Sequence, residues 1–194
     1  MQVIGNKLTV SPVIEIKDDV DLSTGNVNFI GNVVVRGSVQ SGFTVKADGN
    51  IEVYGSVSGG TLEGKNIVVH MGIQGMQRGY VKAKENVASK FIENATVSAD
   101  GDVVVTDTIL HSLVNAGKRV IVEGKRGLIA GGHVMAGEEV RAKTVGTQLA
   151  VATDLEVGVN PEIRDEYQIL RKELKKNEMS LDQAQKSIVI LKNV

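Results

Sequence analysis

Aliphatic and polar positions alternate in short bursts along most of this chain, and the bursts repeat. Between Gly31 and Val57 the residues Val33, Val39, Val45, Ile51 and Val57 fall six apart, with Gly37 and Gly55 in matching places after two Val/Ile runs. Six longer segments align with one another: TVKADGNIEV (44–53), TLEGKNIVV (61–69), YVKAKENVAS (80–89), TVSADGDVVV (96–105), LVNAGKRVIV (113–122) and HVMAGEEVRA (133–142). Each carries an aliphatic residue, a small Ala or Gly two positions later, a polar or glycine turn, and then a pair spaced by two that is aliphatic in every copy except for Ser89. The leading positions Val45, Leu62, Val81, Val97, Val114 and Val134 give a period of 17, 19, 16, 17 and 20 residues.

The two-residue spacing within Ile51/Val53, Ile67/Val69, Val103/Val105 and Val120/Val122 is that of strands with one buried face. The turns between them (Asp48-Gly49-Asn50, Asp100-Gly101-Asp102, Ala116-Gly117-Lys118) use residues that accept positive φ. So short a unit cannot bury its apolar face alone and must stack on its neighbours. Helical repeats have longer periods. The pattern therefore predicts an all-β fold, a parallel β-helix with three short strands per turn and about seven rungs, on the order of 35 Å tall. The variable turn length favours the right-handed form. The six-residue spacing of a left-handed coil stops after Val57, and Lys46, Glu52 and Ser58 stand where it wants a small residue.

The segment 1–22, with alternating strand character and Pro12, reads as an N-terminal cap, and the β-helix is expected over 23–159. From 160 to 194 the text changes. Asn160 and Pro161 form a helix-start signal. Ile163, Tyr167, Leu170, Leu174, Asn177, Leu181, Ala184, Ile188 and Leu191 follow a 4-3-4-3 spacing among charged residues. That is a coiled-coil seam with one polar position, Asn177. It predicts self-association, a dimer above all. Two other arrangements fit the same residues: a hairpin turning near the capping-box stretch Ser180 to Gln183, or a helix packed on the last rung.

Composition narrows the function. Among 194 residues there are 22 Gly, 3% aromatics, no Trp and no Cys, with a net charge of −1. Disulfides, thiolate metal sites and cysteine catalysis are excluded. No global field favours nucleic acid, and the aromatic platforms that stack bases or sugars are scarce. No secretory signal or membrane-length apolar run is present, so a soluble cytoplasmic protein is expected.

His70, His111 and His133 have no Asp, Glu or second His at ligand spacing, so no metal and no cofactor are expected. His111-Ser112 looks like a nucleophile–base pair, but adjacent strand residues face opposite sides. Gly127 to Gly132 matches neither a phosphate loop nor a dinucleotide fingerprint and reads as tight corners. The insertion Gln74 to Gly79 breaks the rung rhythm; with Met71, Met76 and Arg78 it is a candidate partner loop. The plainer reading makes its methionines fillers beneath the loop.

The stretches FIGNVVVRGSV (29–39), KADGNIEVYGSV (46–57), SKFIENATVSADGDVVV (89–105), ILHSLVNAGKRVIVEGKRGLIAGG (109–132) and TVGTQLAVATDLEVGVNP (144–161) resemble the flagellar assembly protein A family, in order, from about Lys7 to Pro161. The resemblance implies a cytoplasmic bacterial β-helix protein without enzymatic activity, engaging the machinery of flagellar or cell-surface assembly. Members of that family carry a further domain ahead of the repeats. Here the repeats begin almost at once, as expected of a short member or a fragment. A looser likeness to bactofilins implies end-to-end polymers. An acyltransferase on a left-handed β-helix, with His111 or His133 as base, is the enzymatic alternative.

Overall fold

The computed structural model describes residues 2–4, 7–9, 12–76, 78–148, 151–158, 167 and 169–181. Gln2–Ile4 and Lys7–Thr9 pair as a small antiparallel hairpin. From Val13 onward, eighteen strands form one sheet in which every named pairing is parallel. This is a β-solenoid in which each turn crosses three faces; the long strands Val103–Ala116 and Leu128–Ala136 run over more than one face, and Val20 and Val39 join the second face by single bridges.

Register fixes the interior. On the first face Ile14, Val33, Ile51, Ile67, Val87, Val103, Val120 and Val140 lie one above another. On the second face the column is Val20, Val39, Val57, Ile73, Ile92, Ile109, Ile129 and Val145. On the third it is Val27, Val45, Leu62, Val81, Val97, Val114, Val134 and Leu155. The repeat positions read from the sequence therefore share one column. Two residues further along the third face run the small side chains Ala47, Gly64, Ala83, Ala99, Ala116 and Ala136. They let the chain turn tightly into the next first-face strand.

Three columns of mostly β-branched residues suit extended backbone, because their restricted χ1 costs little there. The core is aliphatic throughout; Leu62, Ile92 and Ile109 are completely buried. Eight turns stand where about seven were expected, and at about 4.8 Å per turn their levels span roughly 34 Å. The additional turn is the first. Val13–Ile16, within the segment 1–22, pairs in parallel with Asn32–Val35.

Two of the bends have their own stacked chemistry. Between the second and third faces the backbone takes a left-handed residue in successive turns: Gly42, Gly59, Met76, Asn94, His111 and Gly131. Glycine and asparagine accept this conformation, whereas at Met76 and His111 it is strained and held by the stack around it. Between the third and first faces runs a ladder of amides. Asn32 Oδ1 accepts from Asn50 N at 2.8 Å, Asn66 Nδ2 donates to Asn50 Oδ1 at 3.2 Å, and Asn66 Oδ1 accepts from Asn86 N at 3.1 Å. Asn86 Oδ1 in turn accepts from Asp102 N at 2.9 Å. Each side chain satisfies a donor of the turn beside it, at a corner where no strand neighbour can.

After the solenoid, residue 167 and residues 169–181 are helical and exposed. Among the described residues, no helix is long and apolar enough to cross a membrane.

Candidate interaction surface

The most organised exterior follows the last inward residue of each first-face strand. Arg36 N, Tyr54 N and His70 N donate to the carbonyls of Ile16, Val35 and Val53, one turn below each. Their side chains are consequently stacked along the solenoid axis. Arg36 Nε donates to Glu15 Oε1 at 2.6 Å while its guanidinium lies 4.5 Å above the centre of the Tyr54 ring. Tyr54 stacks on His70 with ring centres 4.6 Å apart and planes 16° from parallel, and His70 Nε2 meets Glu52 Oε1 at 2.8 Å. The run Glu15–Arg36–Tyr54–His70–Glu52 is a rigid surface strip made of four turns of chain.

Higher up the same edge stand Lys90, Thr106, Glu123 and Lys143, and the longer seventh turn adds a loop, 123–127. Arg126 of this loop holds Asp107 through both carboxylate oxygens, at 3.2 and 3.0 Å. A notch lined by Lys90, Thr106, Asp107, Lys125 and Arg126 lies beneath it.

The third face carries a groove bordered by Lys46, Asp48, Glu63, Tyr80, Lys82 and Lys84. Lys46 Nζ lies 2.9 Å from Glu63, and the Tyr80 hydroxyl donates to the same carboxylate at 3.0 Å. The hydrogen bond from Lys46, and secondarily that from Tyr80, hold the Glu63 carboxyl below its ordinary range against the opposing effect of burial. Burial and the adjacent Glu63 push the Tyr80 phenol up. At the neighbouring bend Arg119 donates to both oxygens of Asp102, at 3.1 and 2.7 Å, and lowers that carboxyl.

Two of the three histidines, His70 and His133, have acidic neighbours that sequence spacing does not reveal. Besides the His70–Glu52 contact, His133 lies 3.9 Å from Asp154 and 3.7 Å from Glu156. In both cases the partner belongs to an adjacent turn. His111 and Ser112 form no pair. Ser112 is buried, donating to the Leu110 carbonyl at 2.7 Å and accepting from Ala95 N at 3.2 Å, whereas His111 sits outside on a strained bend. Among the described residues no group of three His, Asp or Glu side chains is arranged to hold a metal ion.

A family model described as the Flagellar Assembly Protein A beta solenoid domain matches residues 12–193. The chain belongs to the flagellar assembly protein A family. No curated protein and no solved structure matches it significantly.

In this flagellar assembly protein A domain the family match runs through the tail as well as the solenoid. Of the seam residues, Tyr167, Leu170, Leu174, Asn177 and Leu181 lie on the helix and are exposed. Ile163, Ala184, Ile188 and Leu191 lie outside the described residues. Met76 and Arg78 of the inserted loop are exposed too, as is Met71 at the preceding bend, and both methionines are more than half exposed. They are not fillers beneath the loop. The loop is pinned at its base by Arg78 N and Gly79 N donating to the Gly75 carbonyl at 2.9 and 2.8 Å. The sequence reading missed the amide ladder and the Arg36–Tyr54–His70 strip. The signal for the ladder was present, since Asn32, Asn50, Asn66 and Asn86 each directly precede the first aliphatic residue of a strand.

Proposed function

We propose that the chain is a non-enzymatic cytoplasmic scaffold in flagellar assembly. The solenoid presents side chains at fixed intervals to protein partners, and the tail joins one copy to another as a coiled coil. The observation that carries this reading is the helix seam. Tyr167, Leu170, Leu174 and Leu181 are each more than half exposed although they are the apolar positions of a heptad pattern, and such a stripe is stabilised by a matching helix. Asn177 in that seam would fix the pairing register at some cost in stability. Removing residues 161–194 and measuring mass by light scattering tests the proposal. A dimer that becomes a monomer supports it, and an unchanged mass refutes the tail's role.

A second reading, end-to-end association of solenoids, draws support from the two ends of the stack. Ile14 in the first turn and Val145 and Leu155 in the last are 37%, 51% and 39% exposed, whereas their neighbours one turn inward are fully buried. Filaments in negative-stain electron micrographs that vanish in Leu155→Lys would favour this reading; discrete particles at all concentrations would reject it.

A further inference from the structure

We infer that the notch under the 123–127 loop is a docking site for an acidic segment of a protein partner. The inference deepens the scaffold reading, on which it rests, by giving the chemistry of what the scaffold holds.

Three levels of the stack bring four cationic side chains to one edge: Lys90, the loop's Lys125 and Arg126, and Lys143. The loop presenting them is fixed on several sides. Gly124 is packed so closely on the turn below that a Cβ there would overlap the Thr106 carbonyl oxygen. Lys143 Nζ donates to the Gly124 carbonyl, and its aliphatic stem lies against Gly127. Arg126 is clamped to Asp107, whose side chain is itself mostly covered. Glu123, the loop's own carboxylate, is turned to Arg141 at 3.4 Å. Lys90 and Lys125 are left facing the notch with no carboxylate partner among the described residues. A chain of net charge −1 thus concentrates uncompensated positive charge in a recess of about 450 Å³.

Pre-ordered cations reduce the entropic cost of binding, and charge complementarity sets both encounter rate and selectivity. The occupant is a carboxylate-rich peptide, not a nucleic acid. The lining holds no aromatic ring on which a base could stack, and single strands depend on such platforms together with a continuous basic track. Here the track is broken by the Glu123–Arg141 pair above and the Glu52–His70 pair below.

The test is fluorescence anisotropy with a labelled poly-glutamate decamer and the full chain, at about 0.05 M and about 0.3 M salt. The unmodified protein should bind the peptide, more weakly at the higher salt. The double variant Lys90→Glu/Lys125→Glu should weaken binding at least about tenfold. Lys82→Glu on the third face should change it less than about twofold. Circular dichroism of each variant checks that the solenoid is intact. Absence of binding by the unmodified protein, or an equal loss in Lys82→Glu, overturns the proposal. So does tighter binding of an oligothymidine or of anionic phospholipid vesicles that is lost in the same double variant. Because the readout is peptide binding to the solenoid, its failure leaves the tail-deletion result standing on its own.

Discussion

Replacing Leu62 with Ala probes the interior column directly, and the fold supplies its own control. Leu62 and Leu155 are the two leucines of the third-face column, but Leu62 is completely buried between Val45 and Val81, whereas Leu155 lies in the last turn and is 39% exposed. Truncating a fully buried leucine costs about 2–5 kcal/mol, because lost transfer energy is joined by a cavity the surroundings cannot close. Collapse is especially restricted here, since the levels above and below are tied by ladder hydrogen bonds at fixed spacing. At Leu155 the space opens to solvent, so the cavity contribution falls away. About three-fifths of a transfer energy of about 1.5–3 kcal/mol remains, or about 1–2 kcal/mol. With about 2–4 °C per kcal/mol for a domain of this size, Leu62→Ala should lower Tm by about 4–20 °C and Leu155→Ala by about 2–8 °C. Thermal unfolding followed by far-ultraviolet circular dichroism measures both. Because solenoids couple nearest neighbours, the Leu62 variant should also speed amide exchange at Val45 and Val81 before elsewhere. Equal losses from the two variants, or a larger one at Leu155, would show that the column does not close around Leu62.

Other perturbations report on other parts. Gly124→Ala forces a Cβ onto the Thr106 carbonyl and should destabilise by about 1–3 kcal/mol, read as a drop in the urea midpoint. Asn66→Ala removes both its donation to Asn50 and its acceptance from Asn86; about 1 kcal/mol should be lost, with faster hydrogen exchange at the Asn86 amide. Arg119 lowers the folded-state pKa of Asp102, so this pair adds stability above the carboxyl's unfolded pKa and loses it as pH falls through the lowered folded value. Urea midpoints of Arg119→Gln should therefore fall below those of the unmodified protein at neutral pH and converge with them in strong acid. A gap that persists unchanged into acid contradicts that linkage.

The solenoid was legible because its inner positions obey a strict rule that the outer ones do not. Val45, Leu62, Val81, Val97, Val114 and Val134 are aliphatic in every copy and are followed two residues later by Ala or Gly. The first turn escaped notice because Val20 sits in the charged run KDDVD and Phe29 occupies the small-residue position. Contacts between turns were harder to read for a geometric reason. His70 meets Glu52 and His133 approaches Asp154 across 18 and 21 residues of sequence, and nothing local marks such pairs. The inserted loop was found through the break in rhythm. That its Met76 faces outward depends on the corner from which it springs, which periodicity does not encode. The helix seam was legible as spacing alone, and Tyr167, Leu170, Leu174 and Leu181 lie exposed on the helix.

The unequal turn lengths, from 16 to 21 residues between equivalent inner positions, have an evolutionary meaning. Every extra residue is expelled at a bend, as at Gln74 to Gly79 and at the 123–127 loop, while the three inner columns continue undisturbed. Shape outside and order inside are consequently separable. Mutation can lengthen, recharge or erase a protruding corner without touching the hydrophobic register, so one fold can acquire new partners at one level while keeping its old ones at the next.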